Sequence, residues 1–136
     1  MTEAARASCP QASILIVDDT AEWRAQVRSI LGQQPELQVV AEACDGFQAV
    51  QIAAELNPDL VLLDVGMPVM NGIKAAEEIR LISTRSKIVF LTQEIDDDVR
   101  NAALAAGAHA YVLKSNAGGD LLRTLATVLG NGHHAH

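Results

Sequence analysis

The sequence predicts an α/β fold in which five short strands alternate with five amphipathic helices around one parallel sheet. Two observations carry that expectation. Runs such as Ile14-Leu15-Ile16-Val17 and Leu60-Val61-Leu62-Leu63 are continuously apolar, as strands covered on both faces must be. Between such runs, apolar residues recur at three- and four-residue spacing, which is helical. Right-handed crossovers follow for each strand–helix–strand unit.

The elements read in order. Ile14–Val17 is the first strand, and Trp23, Val27, Ile30 and Leu31 mark the first helix, which Gly32 and Pro35 end. Leu37–Ala41 forms the second strand. Asp45 is placed to cap a helix that carries Phe47, Val50 and Ala54 inward, and Asn57-Pro58 stops it. Leu60–Leu63 is the third strand, and the loop Gly66–Gly72 feeds a helix with Ile73, Ala76, Ile79 and Ile82 on one side. Lys87–Leu91 is the fourth strand. A helix from about Asp96 to Ala106 ends at Gly107, a residue suited to a helix C-terminus. Ala110–Leu113 is the fifth strand, and the last helix bears Leu121, Leu122, Leu125, Val128 and Leu129 before Gly130. The expected organisation is a flexible tail over 1–12, one domain over 13–130 and a polar tail over 131–136.

Bulk composition narrows the function classes. The 136 residues are 49% hydrophobic and 20% charged, enough apolar chain for a real core, but only 3% aromatic, so Ala, Val, Ile and Leu must build it. A formal charge of −7 argues against a nucleic-acid surface on this domain, though not against a separate DNA-binding domain. Cys9 and Cys44 make no disulfide framework and read as free thiols in a reducing cytosol. No apolar run approaches the ~20 residues of a membrane span, and Met1–Ser13 has no signal-peptide core. A cytoplasmic location without a membrane partner is expected.

The chemistry collects at strand ends. Asp18 and Asp19 follow the first strand, Asp64 the third, Thr92 the fourth and Lys114 the fifth. In an open parallel sheet those ends line the ligand crevice. Crowded acids resist ionisation unless a cation is present, and Mg²⁺ is held by a few carboxylates with water and phosphate oxygen completing its shell. The set reads as an Mg²⁺-dependent phosphoryl site with Asp64 as acceptor. Plainer readings exist for each residue: Asp18 or Asp19 as a helix cap, Thr92 as an ordinary strand end, Lys114 as a solvated lysine, Tyr111 as a packed strand aromatic. Asp96, Asp97 and Asp98 read as acids complementing a helix dipole, His109 as a loop residue, and His133, His134 and His136 as a solvated terminus. Neither G-x-x-x-x-G-K nor G-x-G-x-x-G occurs.

Taken in order, Asp18-Asp19, Asp64, Met67-Pro68-Val69-Met70-Asn71-Gly72, Thr92 and Lys114 give a pattern that resembles the receiver domain of two-component response regulators, over roughly residues 12 to 130. The resemblance implies a flavodoxin-like, doubly wound sheet in the order 2-1-3-4-5. It implies that Asp64 receives a phosphoryl group from a histidine of a sensor histidine kinase. By the same resemblance Asp19 and Asp64 contact Mg²⁺ directly, Asp18 acts through water, and the Gly66 carbonyl is a further ligand. Lys114 is expected to pair with Asp64 at rest and with a phosphoryl oxygen afterwards, while Thr92 bonds another. Tyr111, three residues before Lys114, stands where the family carries its switch aromatic. It would move inward behind Thr92 and bias the face of the fourth helix, fifth strand and fifth helix, used for homodimerisation and output. The stretches Met67–Ile73 and Ala106–Ser115 favour the NarL/FixJ-like branch, whose members control transcription through a C-terminal DNA-binding domain. The chain is then expected to be an excised receiver.

Three departures matter. Gln93 stands where the family usually has a small residue and is expected to narrow access to Asp64. Ser115 replaces a common proline, leaving that peptide bond's geometry open. Gly66 has no side chain to shield an acyl phosphate, although Glu94 could partly compensate. The competing functions are a stand-alone receiver, a pseudo-receiver acting as an interaction module, and a hydrolase of small phosphorylated substrates. The last would want an acid at position 66.

Overall fold

The computed structural model describes residues 12–66, 71–93 and 97–130. The strands are β1 (Ala12–Val17), β2 (Leu37–Ala43), β3 (Leu60–Leu63), β4 (Lys87–Thr92) and β5 (Ala110–Leu113). The helices are α1 (Ala21–Leu31), α2 (Gly46–Leu56), α3 (Gly72–Ile82), α4 (Asp97–Ala105) and α5 (Ala117–Gly130), with a 3₁₀ turn over Lys114–Asn116. The strands form one parallel sheet in the order β2-β1-β3-β4-β5, the flavodoxin-like order.

The continuous apolar runs divide between two faces because successive side chains on a strand point oppositely. Ile14 and Ile16 of β1 pack with Leu60, Leu62, Val89, Leu91 and Val112 under Val27 and Leu31 of α1 and Leu121, Leu125 and Val128 of α5. Leu15 and Val17 pack with Val61, Leu63, Ile88 and Phe90 under α2, α3 and α4. That second layer is lined from the helix side mainly by Ala49, Ala53, Ala75, Ala76, Ala103 and Ala106, with Ile79. Small side chains let those helices approach the sheet closely, so a core with few aromatics still closes.

Three residues expected inside are exposed. Phe47 is 56% and Ile82 44% exposed, and Ala54 is exposed too. The buried stripe of α2 is Gly46, Ala49 and Ala53, with Val50 half-buried beside it. A helix packed this closely presents its smallest residues to the sheet and turns Phe47 outward. Ile82 is the last residue of α3, and its side chain faces outward beside the buried C-cap Ser83.

Boundaries follow backbone chemistry. β1 begins at Ala12, one residue before the expected domain start, since the Ala12 N–H donates to Glu36 O at 2.9 Å. The Asp45 side chain caps α2 by accepting from Gln48 N, as expected, and Asn71 caps α3 by accepting from Lys74 N. Asn57 ends α2 in the left-handed region at φ 45. Gly107 follows α4 at φ 98, and the Ala108 N–H closes that end onto Ala103 O at 3.1 Å. Residues 1–11 and 131–136, Met67–Met70, Glu94 and Asp96, for which expectations were stated, lie outside the described residues. Among the described residues no helix is long and apolar enough to cross a membrane.

One helix start bears directly on the strand ends. A Cβ on Gly72 would lie 2.2 Å from the Asp64 carbonyl oxygen and 2.9 Å from its carbon, and the Gly72 N–H donates to Val65 O at 3.0 Å. Backbone thus packs against backbone where α3 begins, and the contact fixes the chain just after β3. Gly72→Ala must push these elements apart and is expected to cost about 2 kcal/mol of stability, in the range of overpacking. Urea unfolding measures this, and an unchanged midpoint would refute the close approach.

Candidate functional site

The strand order brings Asp18 and Asp64 to neighbouring strand ends. β1 and β3 pair in register to Val17 opposite Leu63, and the ladder runs one residue further as the Asp64 N–H donates to Val17 O at 3.0 Å. Thr92 and Leu113 are paired on β4 and β5, so Lys114 leaves the sheet at the same edge. Asp18, Asp64, Thr92 and Lys114 are all buried, while Asp19 is exposed. Carboxylate oxygens of Asp18, Asp19 and Asp64 lie within 4.8 Å of one another.

Each buried carboxylate divides its two oxygens in the same way. Asp18 Oδ1 accepts from the Thr20 N–H at 2.9 Å, and its Oδ2 is 2.7 Å from Lys114 Nζ. Asp64 Oδ1 accepts from the Gly66 N–H at 3.3 Å, and its Oδ2 is 3.7 Å from the same ammonium. Lys114 was expected to pair at rest with Asp64; its ammonium bridges both acids and sits closer to Asp18. Neither Asp18 nor Asp19 caps α1 through its side chain, since the cap position is Thr20 and carries no side-chain cap bond.

The balance of charge is unfavourable to Asp64 as an anion. Burial is the largest effect and raises its pKa; Lys114 opposes, Asp18 raises it further, the Gly66 N–H lowers it, and Asp19 raises it. Three convergent carboxylates against one ammonium leave negative charge in excess, and all the donors are hard oxygens. That set suits a hard divalent cation.

Neighbouring residues hold the acids in place. Arg24 Nη1 donates to the Asp18 carbonyl at 2.6 Å, while its Nε donates to Glu42 Oε1 at 3.0 Å, tying the turn after β1 to α1 and β2. Arg28 also pairs with Glu42. Sequence reasoning did not single out Arg24 or Glu42: the pairing spans 18 positions and depends on β2 lying beside β1. A Cβ on Gly66 would meet nothing within 4 Å, so a side chain there is sterically allowed.

Gln93 is exposed, immediately after Thr92. No cis peptide occurs among the described residues, so Lys114–Ser115 is trans within the 3₁₀ turn. Tyr111, in register with Phe90, is half-buried against the layer of Ala103 and Ala106, and its hydroxyl group raises the pKa of Arg100 on α4. Its ring is thus already partly packed rather than swung fully outward. Asp97 and Asp98 stand in the first turn of α4, where acids favour the helix dipole, and Asp97 pairs with Arg100 at 3.2 Å. His109 is structural: its Nδ1 accepts from the Ile88 N–H at 3.1 Å, and burial, then Lys87 and Arg80, push its pKa down.

Comparison with known proteins agrees with this geometry. The family described as response regulator receiver domain matches residues 14–126. The nitrate/nitrite response regulator protein NarL of Escherichia coli (strain K12) is 37% identical over 114 residues, 84% of this chain and 53% of that protein. The transcriptional regulatory protein LiaR of Bacillus subtilis (strain 168) is 39% identical over 103 residues, 76% of this chain and 49% of that protein. The chain therefore spans about half the length of these curated relatives. A LuxR-family two-component response regulator from Aurantimonas sp. SI85-9A1 superposes with a TM-score of 0.84 at 31% identity, over 89% of this chain and 86% of that one. The response regulator domain of Thermotoga maritima CheB gives 0.82 at 27% identity, over 88% and 97%. Fold, strand-end acids and sequence similarity converge: this chain belongs to the response regulator receiver domain family, with NarL- and LuxR-type regulators among its relatives.

Proposed function

We propose that Asp64 accepts a phosphoryl group from a phosphohistidine of a sensor histidine kinase, within a domain spanning 13–130. The observation that carries this reading is the buried Asp64 carboxylate, with Lys114 Nζ at 3.7 Å and the Asp18 and Asp19 oxygens inside 4.8 Å. An Asp64 oxygen attacks phosphorus as the donor's P–N bond breaks, and the imidazole leaves. Little beyond positioning and charge neutralisation is required of the protein. Asp18, Asp19, Asp64 and the Gly66 carbonyl would hold Mg²⁺, which supplies positive charge against the phosphoryl oxygens. Lys114, already shared between Asp18 and Asp64, pairs with one phosphoryl oxygen, and the Thr92 hydroxyl donates to another. The product is a mixed anhydride, and its hydrolysis ends the signal. No turnover of a separate substrate is assigned.

Output runs through Thr92 and Tyr111. Thr92 drawn toward the phosphoryl group makes room for the half-buried Tyr111 to pack further, altering the surface of α4, β5 and α5. Homodimerisation through that surface, and transcriptional control through a DNA-binding domain such as the longer relatives imply, complete the reading. The setting is cytoplasmic. A pseudo-receiver that acts purely as an interaction module remains as the outcome of a failed phosphorylation test.

That test is intact-protein mass after incubation with acetyl phosphate and Mg²⁺. One phosphoryl adduct that needs Mg²⁺ and disappears in Asp64→Asn is expected; a chain that stays unmodified is an interaction module. Gln93→Ala should speed adduct formation by a few-fold, because this exposed side chain directly follows Thr92. Equal rates for the two proteins would remove Gln93 as a barrier.

Stability should follow the raised Asp64 pKa. The folded chain holds the Asp64 proton more readily than the unfolded chain, where aspartate titrates near ~3.9. The group's contribution is therefore fully present below that value and lost as pH rises through the folded one. Without Mg²⁺ at about pH 7, Asp64→Asn should melt a few degrees above wild type. The gap should close in acid, and Mg²⁺ should raise the wild type more than the variant. Identical melting temperatures at neutral pH would contradict the charge imbalance.

A further inference from the structure

Trp23 stands in the first turn of α1, half-buried against the layer shared by α1 and α5. Lys114 Nζ lies 4.9 Å from the centroid of its ring. The phosphoryl chemistry above makes no use of this contact. We propose that Trp23 is a positioning residue for phosphoryl transfer, its ring holding the Lys114 ammonium between Asp18 and Asp64. The inference rests on the reading of Asp64 as acceptor.

The ammonium has three N–H groups to satisfy. Asp18 Oδ2 takes one at 2.7 Å, whereas Asp64 Oδ2 at 3.7 Å is beyond hydrogen-bond length. An aromatic face within about 6 Å attracts a cation through its quadrupole, most strongly for tryptophan and where water is excluded. Lys114 is 6% exposed, so the second condition is met. What distinguishes the ring from a further carboxylate is its neutrality. It retains the cation without adding negative charge that an incoming phosphoryl group would have to overcome. Nor does it demand a single direction, so Nζ can move toward Asp64 while remaining over the ring. Leucine at this place would fill apolar space but exert no such pull; phenylalanine would exert a weaker one.

Trp23 is the sole tryptophan of the chain, so its emission reports this contact directly. The first arm compares the fluorescence of the wild type and Lys114→Met without phosphodonor. A changed intensity or peak is expected, and identical spectra would overturn the contact. The second arm follows the rate of adduct formation from acetyl phosphate and Mg²⁺, with melting temperatures as the check on folding. Trp23→Leu should be slower by roughly five-fold, within the range of one cation–π contact. Trp23→Phe should stay within about two-fold of wild type by the same scale. A Leu variant as fast as wild type, or a folded Phe variant as slow as the Leu one, would leave Trp23 as packing alone and end the proposal. If the wild type itself forms no adduct, the acceptor reading fails and takes the transfer role with it, while the fluorescence arm still decides the contact.

Discussion

Lys114 is a buried cation with Asp18 Oδ2 at 2.7 Å and Asp64 Oδ2 at 3.7 Å, and the cost of burying its charge governs the geometry around it. Removing an ion from water costs several kcal/mol unless partners replace the lost hydration. Here the replacement is shared: each acid spends one oxygen on an N–H of its own turn, from Thr20 or Gly66, and offers the other to the ammonium. The arrangement is self-consistent but not neutral, because Asp19 adds a third carboxylate to the same cluster. A site that keeps more anions than cations at its centre is suited to receive a dication and to bring a negatively charged group to it.

That centre exists because of how the sheet is wound. β1 and β3 are far apart in sequence and adjacent in space, so the turn after each delivers an acid to one edge. Alanine-lined helices on one layer and Val, Ile and Leu contacts on the other hold the sheet between them. Gly72 shows how little slack there is, since its backbone rests on that of Asp64. Arg24 performs a similar service for the turn after β1 by binding the Asp18 carbonyl and Glu42 together. Neither residue needs to touch a ligand to matter to the chemistry.

The path from the site to the surface is short. Thr92 ends β4, and Tyr111 lies on the next strand opposite Phe90, where it raises the pKa of Arg100 on α4. Arg100 also pairs with Asp97 in the same helix turn, so the aromatic, the helix and an exposed ion pair form one small linked unit. Under the proposed switch role, a change at the strand end that alters Tyr111 packing would bear on α4 through Arg100. In the reading advanced for Asp64, that is where charge at the core becomes a difference in surface.

The sequence by itself determined the element order and the identity of the acids, threonine and lysine at the strand ends. Buried parallel strands require continuous apolar runs, and the ends of those runs show in the chain itself. The 2-1-3-4-5 strand order came from family resemblance, since apolar periodicity carries no information about which strands are neighbours. Only the tertiary structure decided which partner Lys114 prefers, that Phe47 and Ile82 face outward, and that Trp23, Arg24 and Glu42 belong to the neighbourhood of the site. Periodicity identifies an apolar face to within one side chain, but helix-to-sheet distance chooses between Phe47 and its alanine neighbours. Contacts between α1, β2 and the turn after β1 arise from packing across the sheet, where residues distant in sequence become neighbours through the positions of whole elements.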